Sequence, residues 1–185
     1  MSQAEIMHVI TTKFADKFKK IAKVKIRDFL DDYKKEEQPT IVVTFLGLEE
    51  MKSHHNMFEK VQVRESGKSE YMTLPPSMFE LFYIVTPYFK TYTDSLKIMG
   101  SLVQLVKDDS FIGVENYDWI GNNKRDILIE PLSGMSVEKQ MQMFNMIRTE
   151  YRPSLFYKMI VGVNSNLQES FTRVEERKFD VSRKK

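Results

Sequence analysis

The chain has 185 residues, 42% of them hydrophobic and 12% aromatic, which suits one domain able to bury a substantial core. A formal net charge of +2 is too small to mark a nucleic-acid or anionic-membrane partner, and the lack of cysteine removes disulfides, thiolate zinc sites and a cysteine nucleophile. The start, Met1-Ser2-Gln3-Ala4-Glu5, has neither the basic residues nor the apolar stretch of a secretion signal, and no run approaches the roughly 20 apolar residues of a membrane span, so a protein soluble at synthesis is expected.

Residues 4–22 place Ile6, Ile10, Phe14, Phe18 and Ile21 on one stripe, predicting an amphipathic helix. The cations Lys13, Lys17, Lys19, Lys20, Lys23, Lys25 and Arg27 are read as its solvated side rather than as a phosphate or lipid site. Residues 31–38 form a charged linker, and the β-branched run 40–46, closed by Gly47, predicts a buried strand. His54 and His55 are adjacent, so their side chains diverge on helix or strand alike, and no carboxylate stands at a recognised ligand spacing; no metal site is expected. Val61 and Val63 alternate with Gln62 and Arg64 as in a short strand before a Ser66-Gly67-Lys68 turn, the pattern of a hairpin arm or loop.

Pro75 and Pro76 impose an extended entry into the apolar run that ends at Pro87. The periodicity of Phe79, Phe82, Tyr83 and Val85 suits a helix face, while their aromatic and β-branched character suits a strand; in either form the segment is a central buried element. Asp94 or Thr93 caps the next helix, whose apolar residues from Leu96 to Val106 nearly encircle it and call for cover on more than one side. Asp108 and Asp109 end it in an exposed loop, with Phe111, Ile112 and Val114 packing behind. A turn at 121–124 precedes a strand at 127–132, and Ser136 and Lys139 open a Met-rich helix at 136–149. Met135, Met141, Met143 and Met146 give it adaptable apolar surface suited to a core or to a partner. The turn Arg152-Pro153-Ser154 leads into a strand at 155–163. The fold class is therefore α/β (α+β): a mostly antiparallel sheet flanked by helices, its apolar strands covered by helices on one face and by neighbouring subunits on the other.

Pro75-Pro76, the run Phe79 to Thr86 with Tyr83 at its centre, the helix 96–106, Ile127 to Leu132, and Tyr151-Arg152-Pro153-Ser154 occur here in an order that resembles one known family. It is the N-terminal domain family of the tail cap, or terminator, proteins of extracellular contractile injection systems of the antifeeding prophage and Photorhabdus virulence cassette type. The resemblance covers nearly the whole chain and favours a strand after Pro75-Pro76. It implies a single terminator-like domain over 1–167 that forms a homohexameric ring on the last ring of inner tube and sheath, ends their polymerisation and sets particle length. It also implies assembly in the bacterial cytoplasm and then a place in a phage-tail-like particle, which can be released from the cell. Longer family members carry a further C-terminal arm.

No Gly-rich phosphate loop, nucleophile elbow or carboxylate–histidine spacing is visible, so no catalytic residue, cofactor or metal is assigned. An assembly chaperone or adaptor for tube or sheath subunits, and a small hydrolase with a dispersed site, remain as alternatives. Residues 168–185 form a charged C-terminal tail or arm too poor in apolar residues to order alone. Phe171, Arg173, Arg177 and Phe179 in that segment, with Met141, are the candidate interface residues.

Overall fold

A computed structural model describes residues 3–28, 39–51, 60–63, 70–73, 77–113, 126–146, 151–163 and 168–171. The predicted linker at 31–38, His54 and His55, the turns at 66–68 and 121–124, Pro75, Pro76, Val114 and residues 172–185 lie outside them.

Helix α1 (Gln3–Phe18) buries Ile6, Ile10, Phe14 and Phe18, each four residues from the last and so on one stripe. It stops at Phe18, four residues earlier than its apolar pattern suggests, because the chain turns out to form β1 (Lys23–Ile26). The turn is held by the Ile21 N–H donating to the Phe18 carbonyl at 2.9 Å. Strand β1 runs parallel to β2 (Thr40–Glu50), with Val24 opposite Ile41. After β3 (Lys60–Val63) and β4 (Glu70–Thr73), the run in question between helix and strand becomes β5 (Ser77–Tyr88). Its residues alternate across two faces that are both covered, so the helix-like spacing of its aromatics has no structural meaning.

Helix α2 (Tyr92–Asp108) is capped by Thr91 and not by Thr93 or Asp94. Thr91 Oγ1 accepts from the Asp94 N–H at 3.1 Å and donates to the Asp94 carboxylate at 2.6 Å, so both the backbone and the side chain of Asp94 hold the cap. Strands β6 (Phe111–Ile112) and β7 (Ile127–Pro131), helix α3 (Val137–Met146), β8 (Leu155–Val163) and β9 (Gln168–Phe171) complete the order. Gly134, at φ 80°, supplies the left-handed turn just before α3.

Six strands form one sheet in the order β1-β2-β5-β8-β7-β6, antiparallel except for the β1–β2 pair. One bulge, between Phe45 and Gly47, interrupts the β2–β5 register. The remaining strands form a sheet in the order β3-β4-β9. Its members follow β2, precede β5 and follow β8 along the chain, so the second sheet repeats the neighbour relations of the three central strands. Gln168 to Phe171, the first residues of the segment expected to form a tail or arm, are thereby paired with β4, Phe171 opposite Glu70.

On one sheet face Ile41, Val43, Leu81, Tyr83, Val85, Tyr157, Met159 and Ile129 pack with the stripe of α1 and with Leu102 and Val106 of α2. Phe14 lies at the centre, its ring 5.0 Å from that of Phe18, 5.1 Å from Tyr83 and 5.8 Å from Tyr157. On the other face Ile84 and Phe156 pack against Phe144 of α3, with Met135 and Met143 beside them. Three expectations are corrected here. A helix covers the second face as well as the first, since one-residue alternation along β5 and β8 presents apolar side chains to both. And α2 is buried along one stripe, Ser95, Leu102 and Val106, while Leu96 and Val103 stay exposed, because the sheet meets the helix from one side. Phe111, expected to pack behind the helix, is exposed, whereas Ile112, one residue on, is buried.

Candidate functional site

Among the described residues no group of three or more His, Asp or Glu side chains could hold a metal ion, and no helix is long and apolar enough to cross a membrane. The charged groups that depart from their ordinary titration do so for structural reasons. Lys17 spans from α1 to the end of α2, its Nζ 2.6 Å from the Asp109 carboxylate and 3.2 Å from the Asp109 carbonyl. That hydrogen bond holds the Asp109 carboxyl below the usual range. Beside it Lys13 donates to the Gly113 carbonyl, so two lysines of the basic run fasten α1 to the chain after α2. On the face shared with α3, Lys158 Nζ stands 3.1 Å from Glu80 and 3.4 Å from Glu130, bridging β5, β8 and β7. The Glu80 hydrogen bond is the first cause of the raised Lys158 pKa. These ties serve the fold.

The landmark residues are likewise structural. Tyr83 is fully buried in the middle of β5 with its hydroxyl 3.0 Å from Thr11 Oγ1. Thr11 commits its single proton to the Met7 carbonyl at 2.7 Å, so Tyr83 is the donor of the pair. Burial pushes the Tyr83 pKa up to about 12, and does the same for Tyr157 on the neighbouring strand. At the turn before β8, Ser154 Oγ donates to the Arg152 carbonyl at 2.9 Å, which leaves Thr86 Oγ1 as donor to Ser154 Oγ, also at 2.9 Å. The Arg152 guanidinium lies 4.5 Å from the centre of the Tyr88 ring, a cation–π contact. Pro153 is half-buried. The Arg152-Pro153-Ser154 turn therefore joins the start of β8 to the end of β5.

Of the candidate interface residues, Met141 is exposed on α3 and Phe171 ends β9, while Arg173, Arg177 and Phe179 lie outside the described residues. Sequence reasoning did not single out the exposed apolar residues of α2, since their pattern looked like that of a fully covered helix; Tyr92, Leu96 and Val103 are open to solvent.

The family model of the Pvc16 N-terminal domain matches residues 7–173, from α1 to just past β9. The chain belongs to the Pvc16 N-terminal domain family. Solved structures agree with this membership at the level of fold. The sheath/tube terminator of the extracellular contractile injection system PVC, in its extended state, superposes with a TM-score of 0.69 at 12% identity, over 100% of this chain and 65% of that one. The tube-terminating cap of the anti-feeding prophage gives 0.66 at 14% identity, over 98% and 62%. This chain thus spans slightly less than two thirds of the length of either. A comparison with curated protein sequences finds no match. The mixed sheet with helices on both faces is the architecture of a Pvc16 N-terminal domain, and the buried landmarks Tyr83 and Ser154 are parts of its core and its β5–β8 seam.

Proposed function

We propose that this protein is a structural cap of a phage-tail-like contractile injection system. It forms a ring, six-fold by the family resemblance, on the terminal ring of inner tube and sheath, stops their growth and so sets particle length. The observation that carries this is the match of one family model to 167 of the 185 residues, supported by a fold shared over essentially the whole chain with a sheath/tube terminator and a tube-terminating cap. The chemistry is consistent with such a role: the ion pairs of Lys17 and Lys158 tie secondary-structure elements together, and apolar side chains are exposed on α2, on α3 and on several strands. Assembly takes place in the bacterial cytoplasm, and the protein then resides in the particle.

Particles made with and without this protein, sized by electron microscopy, test the proposal. Uniform particles with the protein and a broad length distribution without it are expected. Uniform particles in both preparations overturn it, and a protein needed for assembly yet absent from purified particles identifies an adaptor instead. Within this proposal the segment beyond β9 is an arm that meets the neighbouring subunit or the last tube or sheath ring, with Arg173, Arg177 and Phe179 in the contact and Phe171 at its base. Deletion of residues 172–185 leaves β9 in place and should yield a folded domain that gives particles of irregular length; unchanged particle length removes the arm from the mechanism.

A further inference from the structure

Two helices carry apolar residues that the domain itself leaves open. On α2, Tyr92, Leu96 and Val103 are 67%, 45% and 49% exposed, and with Met99 they follow the spacing of one stripe, about a quarter turn from the buried stripe of Leu102 and Val106. The stripe leads into a cleft of about 330 Å³, lined by Val103, Val106, Ile129, Pro131 and Leu155 with Lys107 beside them. On α3, Val137 and Met141 are 60% and 46% exposed and adjoin the buried Phe144 on one side of the helix. The two helices lie on opposite faces of the sheet, α2 with Tyr83 and Tyr157 and α3 with Ile84 and Phe156.

The charges beside these stripes are of opposite sign. The Asp108 carboxylate accepts from Gln104 at 2.7 Å, and Asp94 is engaged at the helix cap, whereas Lys107 has no polar partner among the described residues and stands one turn from Val103. On α3, Lys139 donates to the Gly134 carbonyl at 3.1 Å, whereas Glu138 has no partner among the described residues and stands three residues from Met141. The chain therefore presents an apolar cleft with a cation on one face and an apolar knob with an anion on the other. Two different, complementary patches are what a head-to-tail contact requires, and a two-fold contact would need one self-complementary patch.

We infer that copies of this chain pack head to tail, α3 of one copy lying along α2 of the next, with Met141 entering the cleft beside Val103 and Glu138 meeting Lys107. An unbranched methionine suits a cleft of irregular shape. The inference rests on the ring function for closure of the contact into a ring, but the contact can be tested in the isolated protein.

The chain has no cysteine, so introduced ones report without background. Val103→Cys and Met141→Cys chains are prepared separately, mixed and oxidised mildly, with melting curves to check that each variant is folded. A disulfide-linked dimer that appears only on mixing is expected, since a bond needs Cα atoms within about 7 Å. Glu138→Lys should weaken self-association about fivefold, and Lys107→Glu in the same chain should restore it, the scale of one exposed ion pair. Cross-links within either single variant but not between them, an oligomer with no 103–141 cross-link, or a chain that stays monomeric at every concentration overturns the inference. If the protein still governs particle length under any of those results, the cap function stands and the contact lies elsewhere; loss of length control without this protein tests the cap function alone.

Discussion

The hydrogen bond between Tyr83 and Thr11 joins the central strand to the first helix, and its direction gives an asymmetric prediction. Because Thr11 donates to Met7, the Tyr83 hydroxyl has Thr11 Oγ1 as its acceptor. Tyr83→Phe removes the donor and leaves Thr11 still bonded to its own helix, so the loss is that of one net hydrogen bond, about 1 kcal/mol. Thr11→Val preserves shape but leaves a phenol hydroxyl buried without an acceptor, which costs about 1–3 kcal/mol. The helical bond from Thr11 to Met7 adds little to this, since such side-chain bonds to the preceding turn do not stabilise helices. The double variant should therefore be no worse than about 1 kcal/mol below the native protein, and more stable than Thr11→Val alone. Urea titrations of the four proteins give the comparison, with melting temperatures expected to fall by about 2–4 °C per kcal/mol in a domain of this size. If Thr11→Val costs no more than Tyr83→Phe, the assigned direction of the bond is wrong.

Three further outcomes are expected. Tyr83 and Tyr157, both with folded pKa values of about 12, should ionise late in an absorbance titration near 295 nm. Their folded pKa is raised above the unfolded value of about 10, so stability is complete below pH 10 and is lost as pH rises towards 12, by up to roughly 3 kcal/mol for each phenol; tyrosinate absorbance complete by pH 11 in the folded protein would contradict this. Phe14→Ala, at a ring with no exposure and three aromatic neighbours, should cost about 3–5 kcal/mol in chemical denaturation, and a loss under 1.5 kcal/mol would mean that α1 does not fill the sheet as described. Lys158→Met leaves Glu80 and Glu130 without their shared cation and should cost about 1 kcal/mol, less at high salt where their repulsion is screened; a cost independent of salt points to packing of the lysine stem instead.

Elements whose cause is local can be read directly from the chain. The four-residue spacing from Ile6 to Phe18 makes a helix with one buried side wherever it is placed, and the β-branched runs at 40–46 and 155–163 suit a pleated, covered surface and little else. The family landmarks were legible too, since their order is a pattern along the chain. The tertiary structure decided what depends on neighbours distant in sequence. Whether Phe79 to Val85 is helix or strand turned on the availability of β2 and β8 on either side. Which of the many apolar residues of α2 are buried turned on the single side from which the sheet meets it, a direction that its own composition does not encode. The same holds for the candidate surfaces: Leu96 and Val103 look like core in sequence and Met141 looks like either, and only the packing of α2 and α3 on opposite faces leaves them exposed beside charges of opposite sign. Periodicity reports what a segment can bury; the arrangement of the other segments determines what it does bury.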